Sequence, residues 1–206
     1  MFFTIPTIMT WTRIVAIPLI VGVFYAPLDP ATRNLIATVM FVVFAATDWL
    51  DGFLARKLNQ TSSFGAFLDP VADKFLVCAS LLVLVHLQRA DVFVALIIIG
   101  REIAISALRE WMAQIGASKS VAVHMIGKLK TTVQMIALLC LLYSVTPGQQ
   151  KTSEIWLGEP VFHLGDWLLA AAALLTLWSG LQYLWAAWPS LKADEQAARK
   201  KVKSKP

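Results

Sequence analysis

Apolar stretches about twenty residues long recur from one end of this chain to the other, and no other feature limits its fold as strongly. A bilayer hydrocarbon core about 30 Å thick takes about 20 apolar helical residues to cross. Residues 8–26, 34–53, 67–87, 92–112, 126–145 and 167–188 meet that requirement. The breaks between them carry helix punctuation: Pro27 and Pro30, Gly65, Asp91, residues 116–120, and Pro147 with Gly148. Strand-like alternation is missing, which argues against a β-barrel. Hydrophobic residues make up 58% of the chain and charged residues 15%, with a mean hydropathy of +0.67. Such a composition points away from an ordinary water-soluble domain. The expected architecture is all-α: an integral membrane protein of six transmembrane helices forming one domain over residues 1–190, then a basic tail over 191–206. Residues 1–10 lack the basic start of a secretory signal, so the first apolar segment is expected to be retained.

Positive charge sets the orientation. Arg56 and Lys57 follow the second predicted span, Lys119, Lys128 and Lys130 lie around the fourth connection, and the tail holds Lys192, Arg199, Lys200, Lys201, Lys203 and Lys205. The other side offers Arg33, Arg89 and Lys151. Both termini are therefore expected in the cytoplasm. The pI near 9.4 then reflects a tail facing an anionic leaflet rather than a nucleic-acid partner. Trp11, Trp49, Trp111, Trp167 and Trp188 fall near predicted span ends, as interfacial aromatics do. Cys78 and Cys140 lie inside apolar runs and read as small buried hydrophobes. His86, His124 and His163 read as interfacial or surface groups, and residues 146–165 as a surface loop.

Against this apolar background, Asp48, Asp51, Asp69 and Asp73 stand out, because carboxylates at membrane depth are costly and mark functional sites by default. Spacings of three and four place each pair on one face of a helix. A short turn between the second and third spans would make those helices antiparallel neighbours, so the two faces could meet. Two carboxylates about 5 Å apart repel by about 3 kcal/mol at an effective dielectric near 20, so four together need protons or cations. Oxygen-only ligands favour Mg²⁺ or Mn²⁺, which share their coordination readily with phosphates. Two such ions would form a clamp for phosphoryl-type transfer. Gly52 and Ala55 leave room beside the aspartates for a ligand. Gly65, expected in the turn, permits a close phosphate approach. Pro70, expected in a first helical turn, would place Asp69 near a helix start.

These residues match the pattern D-x-x-D-G-x-x-A-R-x8-G-x-x-x-D-x-x-x-D at every fixed position, and the chain thereby resembles the CDP-alcohol phosphotransferase family. The resemblance implies a six-helix homodimer in a bacterial cytoplasmic membrane, with two divalent ions and an active site facing the cytoplasm. It implies that Asp48, Asp51, Asp69 and Asp73 hold the metals and that Asp73 also serves as the base. Asp51, Gly52, Ala55, Arg56 and Gly65 would shape the pocket for the CDP moiety.

Three further segments, over residues 4–13, 101–111 and 127–131, resemble the branch of that family whose donor is CDP-diacylglycerol and whose acceptor is glycerol 3-phosphate. Arg101 and Arg109 are eight apart and share a helical face, while Lys128 and Lys130 enter the fifth span from the same side. With Arg101, these residues form a candidate pocket for an acceptor phosphate, arginine binding by paired hydrogen bonds and lysine as a point charge. The alternative roles are topology charges for the lysines and an internal ion pair for Arg101. Glu102 has no assigned role. Sister enzymes taking serine or inositol phosphate, an Asp-rich membrane prenyltransferase and a divalent-cation transporter are the rival functions.

Overall fold

A computed structural model describes residues 5–58, 63–116, 125–144 and 158–203. All of the regular structure among the described residues is helical. Helix α1 spans Ile5–Val23, α2 Pro30–Leu58, α3 Ser63–His86, α4 Val92–Gln114, α5 Met125–Tyr143 and α6 Gly158–Lys203. Each predicted span has its helix.

The turns explain where the helices begin and end. Asp29 Oδ2 accepts the Thr32 amide at 2.8 Å, with Pro30 at the first helical position where its missing N–H costs nothing. That amide holds the Asp29 carboxyl below its usual range. Asp91 caps α4 by accepting from Phe93 and Val94. α3 stops in a Schellman turn: Gln88 takes φ 57°, the Arg89 amide donates to the Leu84 carbonyl at 2.8 Å, and the Gln88 amide to Val85 at 3.0 Å. Gly116, at φ 74°, ends α4.

Packing runs mainly between α5 and α6, with α1 lying against both α2 and α3, and α4 against α6. The core joins Ile20, Phe41, Leu76, Leu84, Ile98, Leu138, Leu141 and Leu169. Gly165 brings α6 onto α5 so closely that a Cβ there would stand 2.8 Å from Leu141 Cγ. Outside this core the surface remains apolar. Phe93 is 74% exposed, Leu174 69% and Trp185 87%. An apolar exterior of that extent belongs against lipid or a partner, not water. Among the described residues, Pro30–Thr47 and Glu159–Asp194 are each long and apolar enough to cross a membrane.

Arg89 locks the end of the bundle where α3 meets α4. Its Nη1 donates to the carbonyls of Leu141 and Leu142 at the end of α5, and its Nη2 to Asn34 Oδ1. Asn34 Nδ2 in turn donates to the Ser144 carbonyl at 2.9 Å. Helices α2 and α5 and the α3–α4 turn are thus tied at one point.

Several expectations need correction. Gly65 lies in the first turn of α3, not in the connecting loop, because the helix already begins at Ser63. Pro70 is the eighth residue of α3 and sits inside the helix, so it removes one helical hydrogen bond and does not mark a start. Residues 158–165 belong to α6 rather than to a surface loop, and His163 is an exposed helical residue with its ring edge-on to Phe162. α6 passes Pro189 and continues through the basic segment to Lys203. Cys78 and Cys140 are half-buried and free. His86 is exposed at the end of α3 and stacks on Tyr25. Residues 146–157 and His124 lie outside the described residues.

Candidate functional site

The backbone carries all four aspartates on two helices. Asp48 and Asp51 fall near the end of α2, whereas Asp69 and Asp73 fall in the first half of α3. Helical spacing puts each pair on one face. The side chains of Asp48, Asp51, Ala55, Arg56 and Asp69 lie outside the described residues, as do those of Trp49 and Lys128, and Gly52 and Gly65 are described in their helical backbone alone. Asp73 is described and exposed. As a donor set, carboxylate oxygens without histidine or thiolate suit a hard divalent cation. The helical placement of all four is compatible with that chemistry.

A second group of polar side chains gathers where α4, α5 and α6 meet. Glu102 of α4 pairs with Lys130 of α5, and its Oε1 also lies 3.6 Å from Arg101 Nη1. Lys130 is buried. Both arginines lie near enough to repel it. Arg101 Nη2 donates to Ser179 Oγ at 2.8 Å, and Arg109 Nη2 donates to the Tyr183 hydroxyl at 3.0 Å. Both guanidinium groups also lie over the Tyr183 ring, at 5.5 Å for Arg101 and 5.1 Å for Arg109. Arg101, Arg109 and Lys130, far apart in sequence, therefore form one cluster. Arg101 Nε is buried without a partner.

Charge decides what this cluster can do. Among the described residues, three cations gather around one carboxylate, which pairs with Lys130 and Arg101, so positive charge is in surplus where an apolar surround weakens screening. An anion with several oxygens, such as a phosphate, matches both the surplus and the guanidinium donors. The pairing of Glu102 with Lys130 and Arg101 also shows that the internal ion pair is present and does not by itself neutralise the cluster.

Asp73 lies on α3, a helix that also packs against α4 and α5. Cys78 on α3 lies within electrostatic reach of Glu102. Asp73 is five residues from Cys78, about 7.5 Å along the helix axis.

Sequence reading missed the α6 contribution. Ser179, Gly180 and Tyr183 sit in an apolar run, and all three meet the arginines of α4: a Cβ at Gly180 would stand 3.3 Å from Arg101 Cγ. The available signal was Ser179 and Tyr183 one helical turn apart, the spacing of two polar groups on one face.

The sequence model of the CDP-alcohol phosphatidyltransferase family matches residues 3–178. A relative from Salmonella choleraesuis (strain SC-B67), named CDP-diacylglycerol–glycerol-3-phosphate 3-phosphatidyltransferase, is 50% identical over 189 residues, covering 91% of this chain and 96% of the relative. Relatives of the same name from Shigella flexneri and Escherichia coli (strain K12) are each 51% identical over the same shares. A match spanning most of the chain, at 50% identity to such relatives, establishes that the chain belongs to the CDP-alcohol phosphatidyltransferase family.

Proposed function

We propose that this protein transfers the phosphatidyl group of CDP-diacylglycerol to the primary hydroxyl of glycerol 3-phosphate, giving phosphatidylglycerophosphate and CMP. The observation that carries the acceptor assignment is the surplus positive charge of Arg101, Arg109 and Lys130 around Glu102, the one carboxylate paired with them among the described residues. A phosphorylated acceptor satisfies that cluster, and an acceptor without phosphate leaves it unneutralised. Lys128 would extend it at the start of α5.

In this reading, Arg101 and Arg109 bind the acceptor phosphate and hold the glycerol hydroxyl toward α3. Asp73 takes the hydroxyl proton as the oxygen bonds to the β-phosphorus of the donor. The bond from that phosphorus to the bridging oxygen breaks, and CMP leaves with the electron pair. Asp51, Gly52, Ala55, Arg56 and Gly65 form the donor's CDP pocket, where the N-terminal turn of α3 adds amide groups suited to a phosphate. Members of the family generally use divalent metal ions. Asp48, Asp51, Asp69 and Asp73 would hold two Mg²⁺ or Mn²⁺ ions, which neutralise charge on the diphosphate when bound.

The apolar exterior supports six membrane crossings in a bacterial cytoplasmic membrane, with both termini and the site on the cytoplasmic side. Residues 1–190 form the domain and 191–206 its basic cytoplasmic extension. A homodimer is the proposed assembly. The deciding experiment incubates purified protein with CDP-diacylglycerol and either glycerol 3-phosphate, serine, inositol phosphate or glycerol, and follows CMP release. Glycerol 3-phosphate should be used best. Equal or better use of serine would overturn the acceptor assignment.

A further inference from the structure

We propose that Tyr183 is a positioning residue for the acceptor phosphate, acting through Arg101 and Arg109, with Ser179 and Gly180 completing its seat on α6. The inference rests on the proposed reading of those arginines as acceptor-binding groups. An isolated arginine has several rotatable bonds and gains little by meeting a phosphate unless its fork is already aimed. Here the aiming comes from another helix. Tyr183 is 4% exposed and packed among Ile105, Met112 and Ala187, so its ring is a fixed surface. Arg101 and Arg109 both lie against that ring, and the hydroxyl at its edge accepts from Arg109 Nη2.

The rest of the seat acts on Arg101. Ser179 Oγ accepts from its Nη2 while donating to the Thr176 carbonyl, so the serine has a defined rotamer to offer. Gly180 leaves space for the arginine stem; a Cβ there would press on Arg101 Cγ at 3.3 Å. Ring, hydroxyl and cleared space therefore set two guanidinium groups from successive regions of α4 at a fixed separation. A phosphate with oxygens on several sides can meet both. A neutral hydroxyl gains nothing from the arrangement, so the seat favours phosphorylated over free glycerol.

The test measures steady-state CMP release with each substrate varied in turn, for the native enzyme and for Tyr183→Phe, Tyr183→Leu and Arg109→Gln. Phe keeps the ring and loses one hydrogen bond, so KM for glycerol 3-phosphate should rise about three- to tenfold. Leu removes the ring as well, and the rise should reach about ten- to fiftyfold as the cation–ring contacts go too. In both variants KM for CDP-diacylglycerol should stay within about twofold, and kcat/KM for free glycerol should be unchanged, because uniform loss of structure would lower every parameter together. An unchanged KM for glycerol 3-phosphate in Tyr183→Phe overturns the proposal, and that variant alone decides if Tyr183→Leu fails to fold. Equal weakening of donor and acceptor in the Tyr183 variants also overturns it. Arg109→Gln separates the two levels. If it raises the acceptor KM while the Tyr183 variants do not, only the positioning role falls; if it weakens both substrates equally, the acceptor site itself is misplaced.

Discussion

Arg89 should be harder to replace by lysine than by methionine, because its stability contribution lies in the shape of its fork. Its Nη1 donates to the Leu141 and Leu142 carbonyls at 3.2 and 3.1 Å, and its Nη2 to Asn34 Oδ1 at 3.1 Å. Hydrogen bonds from a charged donor contribute about 1.5–3 kcal/mol each, and sharing of Nη1 makes the three worth about two, or about 3–6 kcal/mol. Against this stands burial. The residue is 4% exposed, and among the described residues no carboxylate pairs with it. Burial, with a smaller push from Arg33, lowers its pKa from the ordinary arginine value to about 10. That corresponds to a cost of about 3 kcal/mol to the charged form. The net contribution is therefore about 0–3 kcal/mol. Arg89→Met keeps much of the stem and removes both effects, so the expected loss is about 2 kcal/mol. Arg89→Lys keeps a buried charge but cannot reach the α5 carbonyls and Asn34 together, so its loss should be at least as large. For a chain of this size each kcal/mol moves the unfolding midpoint by about 2–4 °C, so Arg89→Met should melt about 4–8 °C lower in detergent micelles. A lysine variant that melts with the native protein while the methionine variant falls would refute the argument. A base with a lowered folded pKa gains relative stability only as pH rises from about 10 toward the ordinary arginine value, so the ranking should hold throughout the neutral range.

Three other outcomes follow from particular contacts. Asp48→Asn or Asp69→Asn should abolish CMP release in an inserted, folded protein, and EDTA should silence the native enzyme until Mg²⁺ or Mn²⁺ is returned; full turnover in chelator would refute the proposed metal site. Gly165→Ala should lower stability by about 1–3 kcal/mol, seen as an earlier thermal midpoint, because its Cβ would stand 2.8 Å from Leu141 Cγ. At Gln88, whose φ is 57°, glycine should be tolerated while valine costs about 1–2 kcal/mol, as compared in the same melting assay.

The sequence was most legible where physics acts locally. Apolar length located all six helices, since a long apolar segment buried with its backbone must satisfy its own hydrogen bonds, as a helix does. The fixed spacing of Asp48, Asp51, Asp69 and Asp73 was readable for the same reason, because helix periodicity converts numbers into faces. Boundaries were harder. Gly65 and Pro70 look like punctuation, yet α3 begins before both and accommodates them. Tertiary partners were least legible. Eight residues of spacing put Arg101 and Arg109 on one face, but nothing local says that Tyr183, 74 residues from Arg109, supplies the opposing surface. Nor does the sequence distinguish Arg89 from an ordinary positive charge beyond a span, although the structure buries it among carbonyls.

The two cationic regions show how a buried charge can be assigned a role from its partners. Arg89 meets neutral oxygens fixed by the fold: two helix-terminal carbonyls and an asparagine held in turn by Ser144. Its two terminal nitrogens are engaged inside the protein while its Nε is buried without a partner, and an incoming anion would have to break the bundle's own ties to reach the terminal pair. Arg101, Arg109 and Lys130 are arranged differently. Among the described residues they divide between them one carboxylate, a serine and a phenol. Bringing three cations together has an electrostatic cost that a second carboxylate would have reduced, had stability been the sole requirement. On the proposed reading, a bound phosphate would relieve repulsion present in the free protein, and the donors that meet it would be held in place beforehand. The surplus therefore supports a binding role for this cluster, just as the internal satisfaction of Arg89 supports a structural one.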